Sequence, residues 1–326
     1  MERSNVIPSY LNLHRSGELA HRLEHARELQ SPCRLCPRGC GAVRARGEKG
    51  FCRSGVAAKV FRYGPHFGEE PPLTGSGGSG TVFLSGCTMR CAYCQNYKFS
   101  QEGEGAEVSS EELALMFLAL KQQGCHNVNW VTPSHFLPQI LSALALAAGE
   151  GFDLPIVYNT SGYESLETLR ILDGCVDIYL ADMRYNSPDR AARYSGARDY
   201  PVINRAAIRE MWEQVGGLAT DESGIARKGL IIRHLVLPND LSGTPEIFRF
   251  IAQEISPRAA VSLMSQYTPC HRASRDALLG RPVTEDEFSE GVDALAMYGL
   301  ENGWIQEWSH AEGEEQFVGA AMEGNV

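Results

Sequence analysis

Three cysteines stand close together in the segment "TVFLSGCTMRCAYCQNYKFS", residues 81–100. Cys87, Cys91 and Cys94 have the spacing C-x3-C-x2-C and directly follow an apolar stretch. Thiolates bind zinc, copper(I) and iron–sulfur clusters. A structural zinc site needs a fourth protein ligand and an electron-transfer cluster ordinarily has a fourth cysteine, but the rest of this loop offers neither. Three thiolates can hold three irons of a [4Fe-4S] cluster and leave the fourth iron open, so the pattern predicts a catalytic iron–sulfur site.

A second group of four cysteines lies upstream, with the spacing C-x2-C-x3-C-x11-C. Four thiols within twenty residues form a complete ligand set: Cys33, Cys36, Cys40 and Cys52. A zinc ion bound by four thiolates would stabilise a short, loop-rich segment that has no core of its own. A second [4Fe-4S] cluster, relaying electrons or contacting substrate, is the alternative. The sequence leaves both metals open.

Composition limits the partners and the compartment. The chain has 326 residues, 43% of them hydrophobic and 21% charged, and a formal net charge of −10. That charge argues against nucleic acid and against an anionic membrane surface, since both are bound chiefly through excess Lys and Arg. The N-terminus has no apolar signal region and the longest apolar runs are too short to span a bilayer. We therefore expect a cytoplasmic protein, where thiols stay reduced and cysteines serve metal or redox chemistry.

The elements that must position these cysteines alternate along the chain. Six apolar runs are predicted strands: 81–85, 127–132, 155–160, 176–183, 229–237 and 260–267. Helices are predicted at 16–30, 109–124, 136–148, 164–172, 202–215, 243–255 and 284–301. Six βα units in series predict a parallel sheet, either curled as a barrel or doubly wound. In such folds the chemistry lies at the carboxyl ends of the strands, and the C-x3-C-x2-C run stands just past the first one.

The chain divides into five predicted regions. A helical extension (1–32) precedes a cysteine-rich metal-binding segment (33–72). A Gly-rich stretch (73–80), part of the run "EEPPLTGSGGSG", has the composition of a flexible linker. The main α/β domain covers 81–308, and a polar tail covers 309–326.

The longer motif "GCTMRCAYCQN", with Tyr93 directly before the third cysteine, resembles the radical S-adenosylmethionine (SAM) superfamily. Within it the motif is similar to the branch that activates glycyl radical enzymes, such as pyruvate formate-lyase activating enzyme. The four-cysteine lead resembles poorly characterised relatives of those activators. The resemblance covers roughly residues 80–270 and implies a partial (β/α)6 TIM-like barrel preceded by the small cysteine-rich segment.

This resemblance implies a definite chemistry. SAM would complete the site by chelating the open iron. A reduced cluster would then pass one electron to SAM, releasing methionine and a 5′-deoxyadenosyl radical that abstracts a hydrogen atom from a substrate. Flavodoxin or ferredoxin would supply the electron. The substrate would be a glycine of a partner glycyl radical enzyme or, alternatively, a small molecule or peptide. A non-catalytic iron–sulfur electron carrier and a zinc scaffold are the alternatives from other functional classes.

The resemblance also implies cofactor contacts at the strand ends. Arg184 replaces the Lys of an Asp-x-Lys motif and keeps its positive charge, so it would pair with the SAM carboxylate. Thr132 occupies the place of a Gly-Gly-Glu run that contacts the SAM amino group, and no carboxylate stands there. The full set of expected contacts is Tyr93, Asn96, Thr132, Asn159, Ser161, Asp182, Arg184, Arg233 and Gln266.

Some of these residues have a structural alternative. Asp182 and Arg184 are two positions apart, on one face of a strand, and would also suit a simple buried ion pair. His234 lies on the opposite face of its strand from Arg233, which predicts a packed core histidine. His66 and His135 stand in loops, and we assign them no catalytic role.

Overall fold

A computed structural model describes residues 7–308, and the predicted tail lies outside these residues. Its central feature is a sheet of ten strands. In chain order they are β1 (Ala58–His66), β2 (Ser79–Leu84), β3 (Ala106–Val108), β4 (Val128–Val131), β5 (Ile156–Thr160), β6 (Ile178–Asp182), β7 (Ala219–Thr220), β8 (Ala226–Leu235), β9 (Ala260–Met264) and β10 (Gly303–Ile305).

Ten α-helices surround this sheet in the described part of the chain. They are α1 (Tyr10–Ser16), α2 (Glu18–Gln30), α3 (Pro71–Thr74), α4 (Ser110–Gln122), α5 (Leu137–Gly149), α6 (Leu166–Leu172), α7 (Pro188–Ser195), α8 (Tyr200–Val215), α9 (Thr244–Phe250) and α10 (Glu285–Met297). A capping box begins α4: the Ser109 side chain accepts a hydrogen bond from the Glu112 backbone N–H, and the Glu112 carboxylate accepts one from the Ser109 backbone N–H. Among residues 7–308, no helix has the length and apolar character needed to cross a membrane.

The order of the parallel strands distinguishes a barrel from a doubly wound sheet. Along the sheet the order is β10-β9-β8-β6-β5-β4-β2-β1-β3. From β2 to β10 neighbouring strands are parallel and follow chain order without the reversal that a doubly wound fold requires. The prediction of an α/β fold with a partial TIM-like barrel is confirmed. All six predicted strands are present, and most of their residues are buried.

The sheet extends beyond the predicted barrel at its first edge. β1 pairs antiparallel with β2, and β3 pairs antiparallel with β1. The sequence of β1, "AKVFRYGPH", contains Gly and Pro and lacks a clear alternation of apolar residues, so the sequence pattern does not predict a strand there. The stretch 73–80 contains the end of α3 and the first residues of β2.

One predicted helix starts slightly later than expected and another is divided. The helix expected at 16–30 is α2 (Glu18–Gln30), and Gly17, with φ = +81°, separates it from the preceding α1. The helix expected at 243–255 is α9 followed by a π-turn over Ile251–Ile255.

Candidate functional site

The carboxyl ends of the parallel strands surround a cavity of about 230 Å³. Because the strands are parallel and adjacent, the residues that follow each of them converge at this edge of the sheet. The wall contains all three cysteines of the C-x3-C-x2-C run. It also contains all nine predicted cofactor contacts, which are Tyr93, Asn96, Thr132, Asn159, Ser161, Asp182, Arg184, Arg233 and Gln266.

The three cysteine sulfurs are partly buried in hydrogen-bonding surroundings. Cys91 Sγ lies 2.9 Å from Ser195 Oγ and 3.5 Å from Arg184 Nη1. Cys94 Sγ lies 3.3 Å from Ser100 Oγ, and the Met89 backbone N–H donates to Cys87 Sγ at 3.3 Å. Such bonds to cluster sulfurs are known to set redox potential.

Burial raises the pKa of two of these thiols, Cys87 and Cys94. It raises the pKa of Cys87 to about 12, and the neighbouring sulfurs of Cys91 and Cys94 add to the shift. Burial also raises the pKa of Cys94 to about 11. Metal or cluster loading must therefore release protons from this loop.

The donor set fits an iron–sulfur cluster better than a single ion. Among residues 7–308, no three His, Cys, Asp or Glu side chains are arranged so that they could hold one metal ion. The ligands of a cluster bind separate irons and need not gather around one point. Three thiolates around one cavity therefore suit a [4Fe-4S] centre with an open corner.

The turn that leads into Cys87 is fixed by close contacts. Gly86 has φ = +89°, and a Cβ added there would lie 2.6 Å from Ser54 Oγ and 2.9 Å from the Cys52 carbonyl oxygen. His135 is buried, and its Nε2–H donates to the Ser85 carbonyl at 2.8 Å. Burial lowers the pKa of His135 to about 4, so the ring is neutral and holds this turn in place.

Asp182 and Arg184 form an ion pair at the end of β6, on the cavity wall. Burial opposes the charge of the guanidinium, but Asp182 and Cys91 raise the pKa of Arg184 well above its usual value. Its Nε is buried and has no hydrogen-bond partner within residues 7–308. A buried donor without an acceptor is costly, so this nitrogen fits an anionic group of a bound ligand.

Arg233 lies in a second charged group, which the sequence does not reveal. Its guanidinium bonds both Glu70 oxygens at 2.7 Å and also bonds Glu69 Oε2. Glu69 further accepts from Asn129 Nδ2 at 3.2 Å and lies 3.3 Å from His66 Nδ1. Burial opposes ionisation of Glu69, but Arg233 outweighs it and the hydrogen bond from His66 helps to lower the pKa to about 2.

Glu69 and His66 line the cavity, and sequence reasoning assigned them no role. His66 ends β1, and Glu69 lies just before α3 in a stretch whose Pro and Gly content is typical of a linker. The acidic pair directly before Pro71 and Pro72 could have drawn attention to Glu69, since carboxylates are favourable at the N-terminus of a helix.

Thr132 marks strain at the end of β4. Its φ is +54°, in the left-handed region that β-branched residues rarely adopt. Its backbone N–H donates to the Asn159 carbonyl at 2.8 Å, which joins two neighbouring strand ends on the cavity wall. Strained backbone of this kind concentrates at functional sites.

A buried carboxyl ties the loops after β4 and β5 together behind the cavity. Glu164, 1% exposed, accepts hydrogen bonds from Ser134 Oγ at 2.6 Å, from Thr160 Oγ1 and from the Tyr158 hydroxyl at 3.3 Å. Burial raises the pKa of Glu164 to about 7, although these hydrogen bonds oppose the shift.

Glu164→Gln is expected to stabilise the protein at alkaline pH. Between pH 4.5 and about 7 the folded state keeps a proton that the unfolded state releases, so wild-type stability falls as the pH rises. The variant lacks this loss and should exceed wild type by up to about 3 kcal/mol at pH 8 and by little at pH 4.5. Denaturant unfolding at several pH values measures the difference. Glu150→Gln, at an exposed turn, is the control and should change neither curve.

A buried arginine contacts two of the four N-terminal cysteines. Cys33, Cys36 and Cys52 are buried and Cys40 is exposed. Arg44 is 2% exposed, and its Nη2 lies 3.3 Å from Cys33 Sγ and 3.5 Å from Cys52 Sγ. The Arg44 Nη1–H donates to the His135 carbonyl oxygen at 2.6 Å, and within residues 7–308 Arg44 takes part in no ion pair with a carboxylate.

The remaining cysteines and His234 are structural. Cys125 and Cys175 are buried, as expected of small apolar side chains, whereas Cys270 is half-buried and its Sγ lies 3.3 Å from the Tyr93 carbonyl oxygen. His234 is fully buried, with Nδ1 2.8 Å from the Met183 carbonyl and Nε2 2.9 Å from Thr244 Oγ1. Burial lowers its pKa to about 4, consistent with a packed core histidine.

Two comparisons with known proteins agree with this geometry. Residues 81–200 match the family model described as the radical SAM superfamily. An uncharacterized protein of Methanocaldococcus jannaschii is 30% identical over 289 residues, which cover 86% of this chain and 79% of that protein. Superfamily membership implies a [4Fe-4S] cluster and SAM, and it supports an enzyme with SAM-cleaving radical chemistry. The chain belongs to the radical SAM superfamily.

Proposed function

We propose that Cys87, Cys91 and Cys94 hold the [4Fe-4S] cluster and that SAM binds in the adjoining cavity. The observation that carries the proposal is the convergence of these three thiols and nine predicted contacts on one cavity. Bound together, the two cofactors supply one-electron cleavage of a sulfonium and abstraction of a hydrogen atom. The residues of the chain bind and orient them and keep water away from the reacting centre.

Opposite charges on the cavity wall would orient the amino acid part of SAM. Arg184, with an unpaired buried Nε, is placed to bind the carboxylate. Glu69 is placed to bind the ammonium group, since two carboxylates share one guanidinium at Arg233 and leave a net negative charge. Glu69 would thus supply the carboxylate that is missing at the position of Thr132.

Glu69→Gln is expected to weaken SAM binding by about tenfold or more, because a charge-assisted bond to the ammonium is lost. Equilibrium dialysis of radiolabelled SAM against the cluster-loaded protein measures the dissociation constant. Glu70→Gln is the matched control: it removes the same charge from the same guanidinium, but Glu70 is not on the cavity wall. An equal loss of affinity in both variants would contradict a direct contact at Glu69.

For the substrate, we propose a glycine residue of a partner enzyme. The cavity of about 230 Å³ is below the 300–1,000 Å³ typical of sites for drug-sized ligands. SAM alone would fill a cavity of this size, so a substrate has to reach it with a small reacting group rather than as an enclosed bulky metabolite. An extended segment of a partner enzyme that inserts one glycine Cα is small enough to reach the cavity. A short peptide substrate is the alternative.

Anaerobic reconstitution tests the proposal. The protein should take up iron and sulfide and, with dithionite and SAM, release 5′-deoxyadenosine. Absence of that product from cluster-loaded protein would contradict the cleavage step. A deuterium-labelled glycyl radical enzyme should then transfer its label to 5′-deoxyadenosine, whereas transfer only from a labelled small molecule would exclude a protein substrate.

We further propose that Cys33, Cys36, Cys40 and Cys52 bind a metal centre, and because no three His, Cys, Asp or Glu side chains in residues 7–308 gather around one point, an iron–sulfur cluster suits them better than a single zinc ion. The support is Arg44, a buried cation whose close anionic candidates are the sulfurs of Cys33 and Cys52. A buried charge needs a partner, and metal-bound thiolates supply one.

Elemental analysis should therefore find metal beyond the three-cysteine cluster. One zinc per chain indicates a zinc site, and about eight irons in total indicate a second [4Fe-4S] cluster. Cys33→Ala should lose that metal and keep the iron bound by the other group. Equal metal content in wild type and variant would contradict the site.

A further inference from the structure

Ser195, the last residue of α7, lies against the three-cysteine loop. Its hydroxyl donates to Cys91 Sγ at 2.9 Å, and the Tyr185 hydroxyl oxygen lies 2.8 Å from Ser195 Oγ. A metal-bound thiolate has no proton and only accepts, and Ser195 has one proton to give, so Tyr185 must be the donor to Ser195. The two buried hydroxyls therefore form a directed chain of hydrogen bonds that ends on the sulfur.

The carboxyl end of α7 is attached to the same loop by backbone contacts. The Ala92 backbone N–H donates to the Tyr194 carbonyl at 2.7 Å. The last carbonyls of a helix have no partner within the helix, and a cation placed beside them is favourable. Here that cation is Arg38, whose Nη2–H donates to the Ser195 carbonyl at 3.0 Å and whose Nη1–H donates to the Gly196 carbonyl.

Arg38 also joins this helix end to the three-cysteine loop. Its Nε–H donates to the Thr88 carbonyl, within the loop, at 2.8 Å. The guanidinium carbon lies 3.8 Å from the centre of the Phe51 ring and 5.1 Å from that of Tyr163. One planar cation thus bonds three carbonyls of two segments, while neighbouring aromatic rings stabilise it in that position.

Arg38 belongs to the N-terminal segment and stands between two of its four cysteines, Cys36 and Cys40. The Gly39 backbone N–H donates to the Cys36 carbonyl at 3.0 Å, so Arg38 lies within a tight turn of the second cysteine group. The proposed cofactor contacts include neither Arg38 nor Ser195. Through Arg38, the segment that carries the second cysteine group therefore reaches the sulfur surroundings of the first.

We propose that Arg38 is a positioning residue, which holds the carboxyl end of α7 so that Ser195 donates to Cys91 Sγ and raises the reduction potential of the cluster bound there. The inference rests on the proposed function, because it requires a cluster at Cys91. Reduction adds one electron to the cluster and makes its sulfurs more negative, and no bond forms or breaks. A hydrogen bond to a sulfur ligand therefore stabilises the reduced state more than the oxidised state.

The test compares Ser195→Ala, Arg38→Lys and the double variant in the cluster-loaded protein. Lys keeps the positive charge of Arg38 but lacks the planar fork that bonds three carbonyls together. Arg34→Lys is the matched control, since Arg34 lies in the same segment and pairs with Glu167, at 3.6 Å, on the surface. A redox titration followed by EPR, with dithionite as the reductant, measures the midpoint potential. The signal that Cys91→Ala lacks identifies the cluster of this loop.

Ser195→Ala should make reduction about tenfold less favourable, which corresponds to a potential lower by about 59 mV. Arg38→Lys should shift the potential in the same direction, whereas Arg34→Lys should match wild type. The double variant should go no lower than Ser195→Ala, because Arg38 acts through Ser195. A wild-type potential in either single variant, or additive shifts in the double variant, would overturn the proposal.

Hydrogen exchange tests the positioning role separately, in protein with and without the cluster. The Ala92 amide, which bonds the Tyr194 carbonyl, should exchange about tenfold faster in Arg38→Lys than in wild type or Arg34→Lys, because the end of α7 is held less firmly. Equal exchange in all three proteins would show that Arg38 does not hold this helix end. Failure of every protein to take up iron at Cys91 would contradict the proposed function instead, and the exchange rates would still decide whether Arg38 positions α7.

Discussion

Cys91→Ala is expected to abolish SAM cleavage. Its thiolate would hold one iron of the cluster, and its sulfur lies 2.9 Å from Ser195 Oγ and 3.5 Å from Arg184 Nη1. Loss of a residue that only supports a metal ligand costs about 10–100-fold in metal affinity or activity, so loss of a ligand should exceed that. Iron and sulfide content and the yield of 5′-deoxyadenosine with dithionite measure the effect.

Cys270→Ala is the matched control for this variant. Cys270 lies beside the same loop, with its Sγ 3.3 Å from the Tyr93 carbonyl oxygen, but it does not line the cavity. It should keep its cluster and cleave SAM at a rate close to that of wild type. Retention of iron and cleavage by Cys91→Ala would remove the basis of the proposed cluster site, and loss of both in Cys270→Ala would extend the ligand set.

The sequence predicted those parts of the fold that follow from periodicity and order. Buried strands such as β2 and β6 are continuous apolar runs, and the chain order of strands and helices identifies a parallel α/β fold. Because parallel strands end at one edge, residues as far apart as Tyr93 and Gln266 could be expected around a single cavity, and the structure places both there.

The sequence could not predict contacts that depend on long-range packing. β1 has no apolar alternation, and its place in the sheet follows from pairing with β2. Glu69 and Glu70 meet Arg233 across more than 160 positions of the chain. Nothing in the local composition of "EEPPLTGSGGSG" indicates that partner, so a linker was the natural expectation.

Strain is a second feature that a sequence does not show. Thr132, Arg53 and Arg90 have ordinary side chains for a loop, yet each has positive φ. Their conformations are fixed by neighbours that arrive from other parts of the chain, as when the Asn159 carbonyl accepts from the Thr132 N–H. These conformations therefore had to be read from the structure.

Arg233→Met is expected to destabilise the fold by about 3–5 kcal/mol, because it leaves two buried carboxylates without their cation. The Arg233 side chain is 13% exposed, and those of Glu69 and Glu70 are 6% and 4% exposed. Denaturant unfolding of the metal-free protein measures the loss. Arg227→Met on the same strand is the control: its pair with Asp221 is more exposed, and its removal should cost about 1 kcal/mol or less.

The pH dependence separates lost charge from lost packing. In wild type the pKa of Glu69 is about 2, so its contribution is present above pH 4.5 and disappears only as the pH falls toward 2. Without Arg233, burial should raise the pKa of both carboxyls, and the variant should gain stability as the pH falls from 8 to 5. The gap between wild type and variant should narrow over that range. A gap that stays constant with pH would mean that the side chain contributes through packing alone and that the charged group does not govern this part of the cavity.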